Sequence, residues 1–273
     1  MVNTLTLINL QKELVVKPKN HTEAKEKYLG KTFQSNNHGC FKVVGYTSST
    51  KVDVVFLETG FKTTTHVSLI IRGEVKDCFK PTVQGFGIIG CENIRDEDGG
   101  ILEAYRKWES MLDRVHGRSC KQDVANPYYD TSVSEDFRWF GDFKNWCEKQ
   151  VGFGNENWAL DKDILFKGNK VYSPETCCFV PVELNSLLVN NRATRGEFPV
   201  GVYYDVSRSK FQSHIRMHGK RKHLGRFVTP EEAFRAYKQA KEAYIKEVAE
   251  LYKDQIDVRV YEALMKYEVD IND

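Results

Sequence analysis

The stretch Lys210-Phe-Gln-Ser-His-Ile-Arg-Met217 alternates without a break. Lys210, Gln212, His214 and Arg216 fall on one side of an extended chain, and Phe211, Ser213, Ile215 and Met217 on the other. A period of two marks a strand with one solvated and one buried face. Similar strands flank it at Val202–Val206 and Lys222–Phe227, with His218-Gly219 as the second turn. Thr229-Pro-Glu-Glu232 then opens a helix, with Thr at the N-cap, Pro at the first position and Glu closing a capping box. The helix runs past Tyr244, and Ala233, Ala236, Tyr237, Ala240 and Tyr244 form its inner stripe. The pattern predicts a three-stranded antiparallel sheet packed on a helix, its outer face a row of long cationic and hydrogen-bonding side chains.

Charge sharpens this expectation. The chain of 273 residues has a net charge of only +2. Between Gly201 and Val228, however, seven Lys and Arg stand against the single acid Asp205. From Thr229 onward eleven acids outnumber seven bases. A local basic patch on a near-neutral chain points to a polyanion partner for one module. A sheet with such a face can enter the DNA major groove, where Arg and Lys meet guanine edges and phosphates.

The rest of the chain reads as further modules. With 41% hydrophobic residues it can bury ample core, and its length exceeds one typical domain. Residues 1–27 read as a leader with a short helix at most. Residues 28–92 read as a small antiparallel β-barrel, from Phe41–Tyr46, Lys51–Leu57 and Thr63–Val67 joined by turn residues such as Thr47-Ser-Ser-Thr50. Arg95-Asp-Glu-Asp-Gly-Gly100 reads as a flexible linker. Residues 101–192 carry helical aromatic text: Tyr105, Trp108, Met111, Leu112 and Val115, then a helix from Ser134 through Trp146 with Phe137, Phe140 and Phe143 as core. A strand at Trp158–Leu165, another at Cys177–Val180 and a helix from Pro181 to Asn190 follow. Asn191–Glu197 is a second linker, residues 198–252 hold the sheet and helix described first, and 253–273 form a helical tail. The expected class is α+β, multi-module.

Several functions are disfavoured. Seven cysteines, an odd number, include no C-x-x-C pair, which argues against a disulfide framework and against a thiolate zinc site. The N-terminal text lacks a signal peptide's apolar core, and no run is long enough to span a membrane. The expectation is an intracellular protein with double-stranded DNA as partner, no membrane association and no zinc. Its oligomeric state is left open.

Two resemblances extend the reading. Gly201-Val-Tyr-Tyr204, Lys210-Phe211, Ile215-Arg216, His223-Leu-Gly-Arg-Phe227 and Thr229-Pro-Glu-Glu-Ala233 resemble the plant Apetala/ethylene-response-factor DNA-binding domain. The resemblance implies DNA-facing positions at Tyr203, Asp205, Arg208, Lys210, His214, Arg216, Arg221 and His223. Tyr203, Asp205 and Arg208 stand where that family usually has Arg, Arg and Trp, so its sequence preference does not carry over.

Leu160-Asp-Lys-Asp-Ile164, Gly168-Asn-Lys170, Tyr172-Ser-Pro-Glu-Thr-Cys177 and Val180-Pro-Val-Glu-Leu-Asn185 are similar to phage-type HNH nucleases of the ββα-metal kind. Such nucleases often carry a C-terminal domain of the type just described, so the order of modules resembles that of a homing endonuclease. The resemblance implies metal-dependent hydrolysis of DNA phosphodiester bonds, by a protein of the host cytoplasm or nucleoid if phage-encoded. It implies Mg²⁺ or Mn²⁺ at Asp161, Asp163 and Thr176, and catalytic roles for Asp161, Lys162 and Asn185. Lys162 stands where the family has its general-base histidine. Lysine is a poor base near pH 7 unless desolvated or crowded by positive charge. His116 is a remote alternative. Two outcomes therefore stay open: an active endonuclease, or an inactive relative acting as a DNA-binding repressor or site competitor.

Overall fold

The computed structural model describes residues 18, 20–118, 120, 124, 126–188 and 197–271. The proposed leader up to residue 17, the end of the helix expected to reach Asn190, and most of the second linker lie outside the described residues. The chain forms two compact units, Met1–Asn93 and Ile94–Asp273. No helix among the described residues is long and apolar enough to cross a membrane.

In the first unit, helix α1 (His21–Tyr28) begins at Asn20, whose side chain accepts from Glu23 N–H at 2.9 Å. Strands β1 (Thr32–Ser35), β2 (Gly39–Ser48), β3 (Lys51–Phe56) and β4 (Lys62–Thr65) form an antiparallel meander in that order. The expected barrel is therefore an open sheet, since β1 and β4 are its two edges and do not pair. Helix α2 (Val67–Arg72), absent from the expectation, begins where the third strand was expected to end. It covers the sheet and adds Ile70 to a core of Tyr28, Phe33, Phe41, Val43, Val52, Val54 and Phe56. Helices covering one face remove the need for closure, because the apolar side is already buried.

In the second unit, Arg95–Gly100 is a tight turn, not a free linker. Arg95 bridges to Ile101, Arg95 Nη1 donates to Gly99 O at 2.6 Å, and Gly100 N donates to Asp96 Oδ1 at 2.6 Å. Helix α3 (Glu103–His116) buries Ala104, Tyr105, Trp108, Met111, Leu112 and Val115, the expected stripe with one more residue. The single helix expected from Ser134 breaks in two. A 3₁₀ turn covers Glu135–Phe137, and α4 (Phe140–Cys147) starts at Trp139, whose backbone is extended. The break lets Phe137 O accept from Trp108 Nε1 at 2.7 Å while Phe137, Phe140 and Phe143 all stay in the core.

A two-residue parallel pair, β5 (Ser132–Val133) with β7 (Val171–Tyr172), and an antiparallel pair, β6 (Trp158–Asp161) with β8 (Cys178–Pro181), form two separate two-stranded sheets. The strand expected at Trp158–Leu165 stops at Asp161, because the Asp161 carboxylate accepts the next two free amides and turns the chain. Helix α5 (Val182–Leu188) follows β8 directly, with Pro181 as the last strand residue.

Strands β9 (Val202–Asp205), β10 (Lys210–Met217) and β11 (Lys220–Phe227) form an antiparallel sheet with β10 in the middle. It packs on α6 (Pro230–Tyr252), which opens with the capping box of Thr229 and Glu232 and Pro230 at its start. Val202, Ile215, Ala233, Phe234 and Tyr237 make the core, with Phe211, Met217, Leu224 and Phe227 packed against it. The tail belongs to this core. After α7 (Val258–Met265), Val269 is buried in it, held by Lys238 Nζ on its carbonyl at 2.8 Å and by Glu242 Oε1 on its amide at 2.9 Å.

Gly201 starts the sheet at φ +77°, and a Cβ there would lie 2.1 Å from the Tyr237 ring. Gly201→Ala combines a left-handed backbone with overpacking and is expected to cost about 2–4 kcal/mol. Gly219→Ala, at φ +73° with open space around it, meets only the conformational penalty of about 1–2 kcal/mol. Urea unfolding of the two variants separates these terms, and equal losses would show that Tyr237 yields freely.

Candidate nucleic-acid interface

The cross-strand register decides what the sheet shows to solvent. Asp205 pairs with Lys210, and Tyr203 with Gln212. Gln212 also faces Arg226, His214 faces His223, and Arg216 faces Arg221. Paired residues share a face, so these rows lie on the side away from α6. Phe211 with Phe227 and Ser213 with Gly225 lie on the helix side. Lys220 and Lys222 pair with Met217 and Ile215, so alternation puts them on the helix side of an edge strand, where both stay exposed.

A β-bulge makes the outer face richer in charge than simple alternation allows. The register slips between Ser213 and His214, leaving Leu224 as the extra residue. Without it, His223 and Arg226 would point to opposite sides. With it both point outward, and half-buried Leu224 packs on the core. Arg226 is thus a candidate contact that sequence alternation missed. Its one signal was the glycine beside it, Gly225, which lies at φ +142°.

On this face Arg221 Cζ lies 5.2 Å from the Tyr203 ring centroid, within cation–π range. His214 meets Tyr203 edge-on at 5.8 Å, and His214 Nε2 lies 3.1 Å from His223 Nδ1. Burial, together with Arg221, His223 and Arg226, holds the His214 imidazole below its usual range. Arg216 Nε donates to Gly219 O at 3.2 Å, which aims that side chain along the β10–β11 turn.

Asp205 lies on the outer face, with its carboxylate bonded within the sheet. Its Oδ1 accepts from Ser207 Oγ at 2.6 Å and Ser207 N at 3.1 Å. Its Oδ2 accepts from Gln212 Nε2 and from Arg208 Nη1 at 3.3 Å, with Arg226 Nε at 3.8 Å. The carboxylate braces these neighbours, and Arg208 is tied to the β9–β10 turn with it. The Ser207 hydroxyl, then Gln212 and Arg208, hold the Asp205 carboxyl down at about 2.

The residues proposed for phosphodiester hydrolysis sit around β6–β8. Lys162 is buried, donates to Asp163 Oδ1 at 2.6 Å and Asn169 O at 3.1 Å, and lies 6.0 and 5.7 Å from the Tyr128 and Tyr172 rings. Asn169 Nδ2 answers on Lys162 O at 2.8 Å and Val171 O at 2.7 Å. Lys162 is a clasp between the loop and β7, with its ammonium neutralised by Asp163. Asp161 Oδ1 accepts from Asp163 N at 2.7 Å and Ile164 N at 2.8 Å, and burial holds its carboxyl above the usual range. Thr176 Oγ1 donates to Val171 O at 2.7 Å and accepts from Ser173 N at 3.2 Å. Asn185 lies half-buried on α5.

A hard divalent ion needs several converging oxygens, and part of this set is already bonded within the chain. One oxygen of Asp163 is on Lys162, the Thr176 hydroxyl closes its own turn, and one oxygen of Asp161 caps backbone. Among the described residues no group of three or more His, Cys, Asp or Glu could hold a metal ion. Comparisons with family models, curated proteins and solved structures found no match to this chain.

Asp205 gives a pH test. Its carboxyl is depressed from about 3.9 when unfolded to about 2 when folded. Its contribution to stability is therefore complete above pH 4 and is lost as pH falls through 2. Asp205→Asn should lower the thermal midpoint at pH 7 and flatten its fall between pH 4 and 2. An unchanged profile would show that the bracing is inert.

Proposed function

We propose that this chain binds duplex DNA through the outer face of β9–β11, laid into the major groove. The observation that carries the reading is the alignment of Lys210, Arg216, Arg221 and Arg226 beside Tyr203 on one side of a sheet whose other side is sealed by α6. Three strands span about 10 Å across the hydrogen-bonding direction, and the major groove is about 12 Å wide. Arg216 and Arg221, paired across β10 and β11, can each present a two-pronged donor to a guanine edge. Lys210, at the start of the strand, is placed for a phosphate. Tyr203 lends an apolar ring for a thymine methyl and stiffens Arg221. The binding is sequence-specific, since the arginines are fixed in direction by Tyr203, Gly219 and Asp205.

Fluorescence anisotropy of the whole chain with a random-sequence duplex should show affinity falling steeply with salt, by a logarithmic slope of about 0.9 per phosphate neutralised. Arg221→Ala should weaken binding by about 1–3 kcal/mol with the unfolding midpoint unchanged. Salt-independent binding, or none, would sink the proposal.

Cleavage is the second reading. The observation in its favour is the β6–β8 hairpin leading straight into α5, the ββα order that the HNH resemblance implies. DNA binding without cleavage expects a supercoiled plasmid to stay intact in Mg²⁺ or Mn²⁺. Nicking that EDTA and Asp161→Ala both abolish would establish the endonuclease instead.

A further inference from the structure

On the helix side of the C-terminal sheet, α5, the β10–β11 turn, α6 and the tail line a half-open cavity of about 520 Å³. That volume falls in the range of small-molecule sites. Leu187, Val200, Tyr237 and Tyr267 give it apolar and aromatic walls. Lys241, on α6, also lines it. Lys241 has no hydrogen-bond or ion-pair partner among the described residues. Burial alone draws its ammonium below the usual lysine range.

Among the acids nearby, Glu183 lines the cavity and accepts from the neutral Tyr252 Oη at 3.0 Å, so it keeps its charge. Glu242 takes Lys238 at 3.2 Å and the Val269 amide, and Glu247 takes His218 at 3.1 Å. Lys241 is half-buried and has no anionic partner among the described residues, so an anion entering the cavity would gain a charge-assisted hydrogen bond that no side chain already takes. An acid group on an apolar or aromatic body matches that lysine and those walls.

We propose that this cavity binds a small organic anion, with an apolar or aromatic body against Tyr237 and Tyr267 and its acid group paired with Lys241. Carboxylate, sulfonate and phosphate heads share the required chemistry. Duplex DNA does not fit, because its phosphates carry no apolar body and its proposed face is the opposite one.

The test uses the full chain, isothermal titration calorimetry, and two probes of one shape: 2-naphthoate and its neutral amide, 2-naphthamide. Naphthoate should saturate one site per chain, with the amide at least tenfold weaker. Lys241→Met keeps the side-chain length and removes the charge, so it should make acid and amide equal. Ser186→Trp, from an exposed position at the rim on α5, should block both probes, and circular dichroism checks that each variant folds. Three results would overturn the proposal: no saturable naphthoate binding by the unaltered chain, an acid preference that survives Lys241→Met, or naphthoate binding that survives Ser186→Trp. The acid–amide comparison on the unaltered chain stands even if a variant fails to fold.

Discussion

The C-terminal sheet hangs on the contact between the Tyr237 ring and the bare backbone of Gly201. The ring occupies the volume that any side chain at 201 would need, and the backbone there is left-handed. This contact fixes where β9 begins on α6. Once β9 is placed, the antiparallel register places β10, and the bulge at Leu224 places β11. Every outward side chain of the proposed interface inherits its direction from that sequence of constraints.

Electrostatics on the outer face follow the same logic. Seven bases in one short segment would repel one another in an unbraced sheet. Asp205 answers by binding Gln212 and Arg208 while approaching Arg226, so the single acid of the segment serves as an internal counter-charge. Lys210, Arg216 and Arg221 keep their full attraction for an external polyanion. The face is thus partly neutralised where it is anchored and uncompensated where it is free. Lys162 shows the opposite arrangement, a buried cation held between two tyrosines and matched one-to-one by Asp163.

Much of the C-terminal unit was legible in the sequence. The alternation of 210–217 and the capping box at 229–232 are local patterns, and local patterns survive folding when tertiary packing agrees with them. The aromatic core at Phe137, Phe140 and Phe143 was legible for the same reason, although the break at Trp139 was not. Features set by distant partners stayed hidden. The parallel pair of β5 and β7 is two residues long and joins segments nearly forty positions apart. The open edge of the first sheet depends on α2, whose six residues carry too little periodicity to be read as helix. Asp205 entered the DNA-facing set through the family resemblance, which reports a residue's position and not its partners, yet Asp205-Val-Ser207 already held the text of an Asx turn. Of the residues read as a cutting site, the sequence placed Asp161 and Lys162 side by side but could not reveal that one Asp161 oxygen caps the following loop and that Lys162 is tied to Asp163 and Asn169.

Val269 lies some seventeen positions beyond the end of α6, yet it completes the core on which the sheet rests. Lys167, from the loop between β6 and β7, also holds the tail, donating to Glu268 O at 2.8 Å and lying over the Tyr267 ring. The segment that reads as a self-contained cassette in the sequence is therefore not one in space. Cut out at the end of its long helix and grafted onto another protein, it would arrive with its hydrophobic floor missing. Genetic exchange that preserves its fold must move the last residues together with the sheet, and must supply a neighbour that grips them.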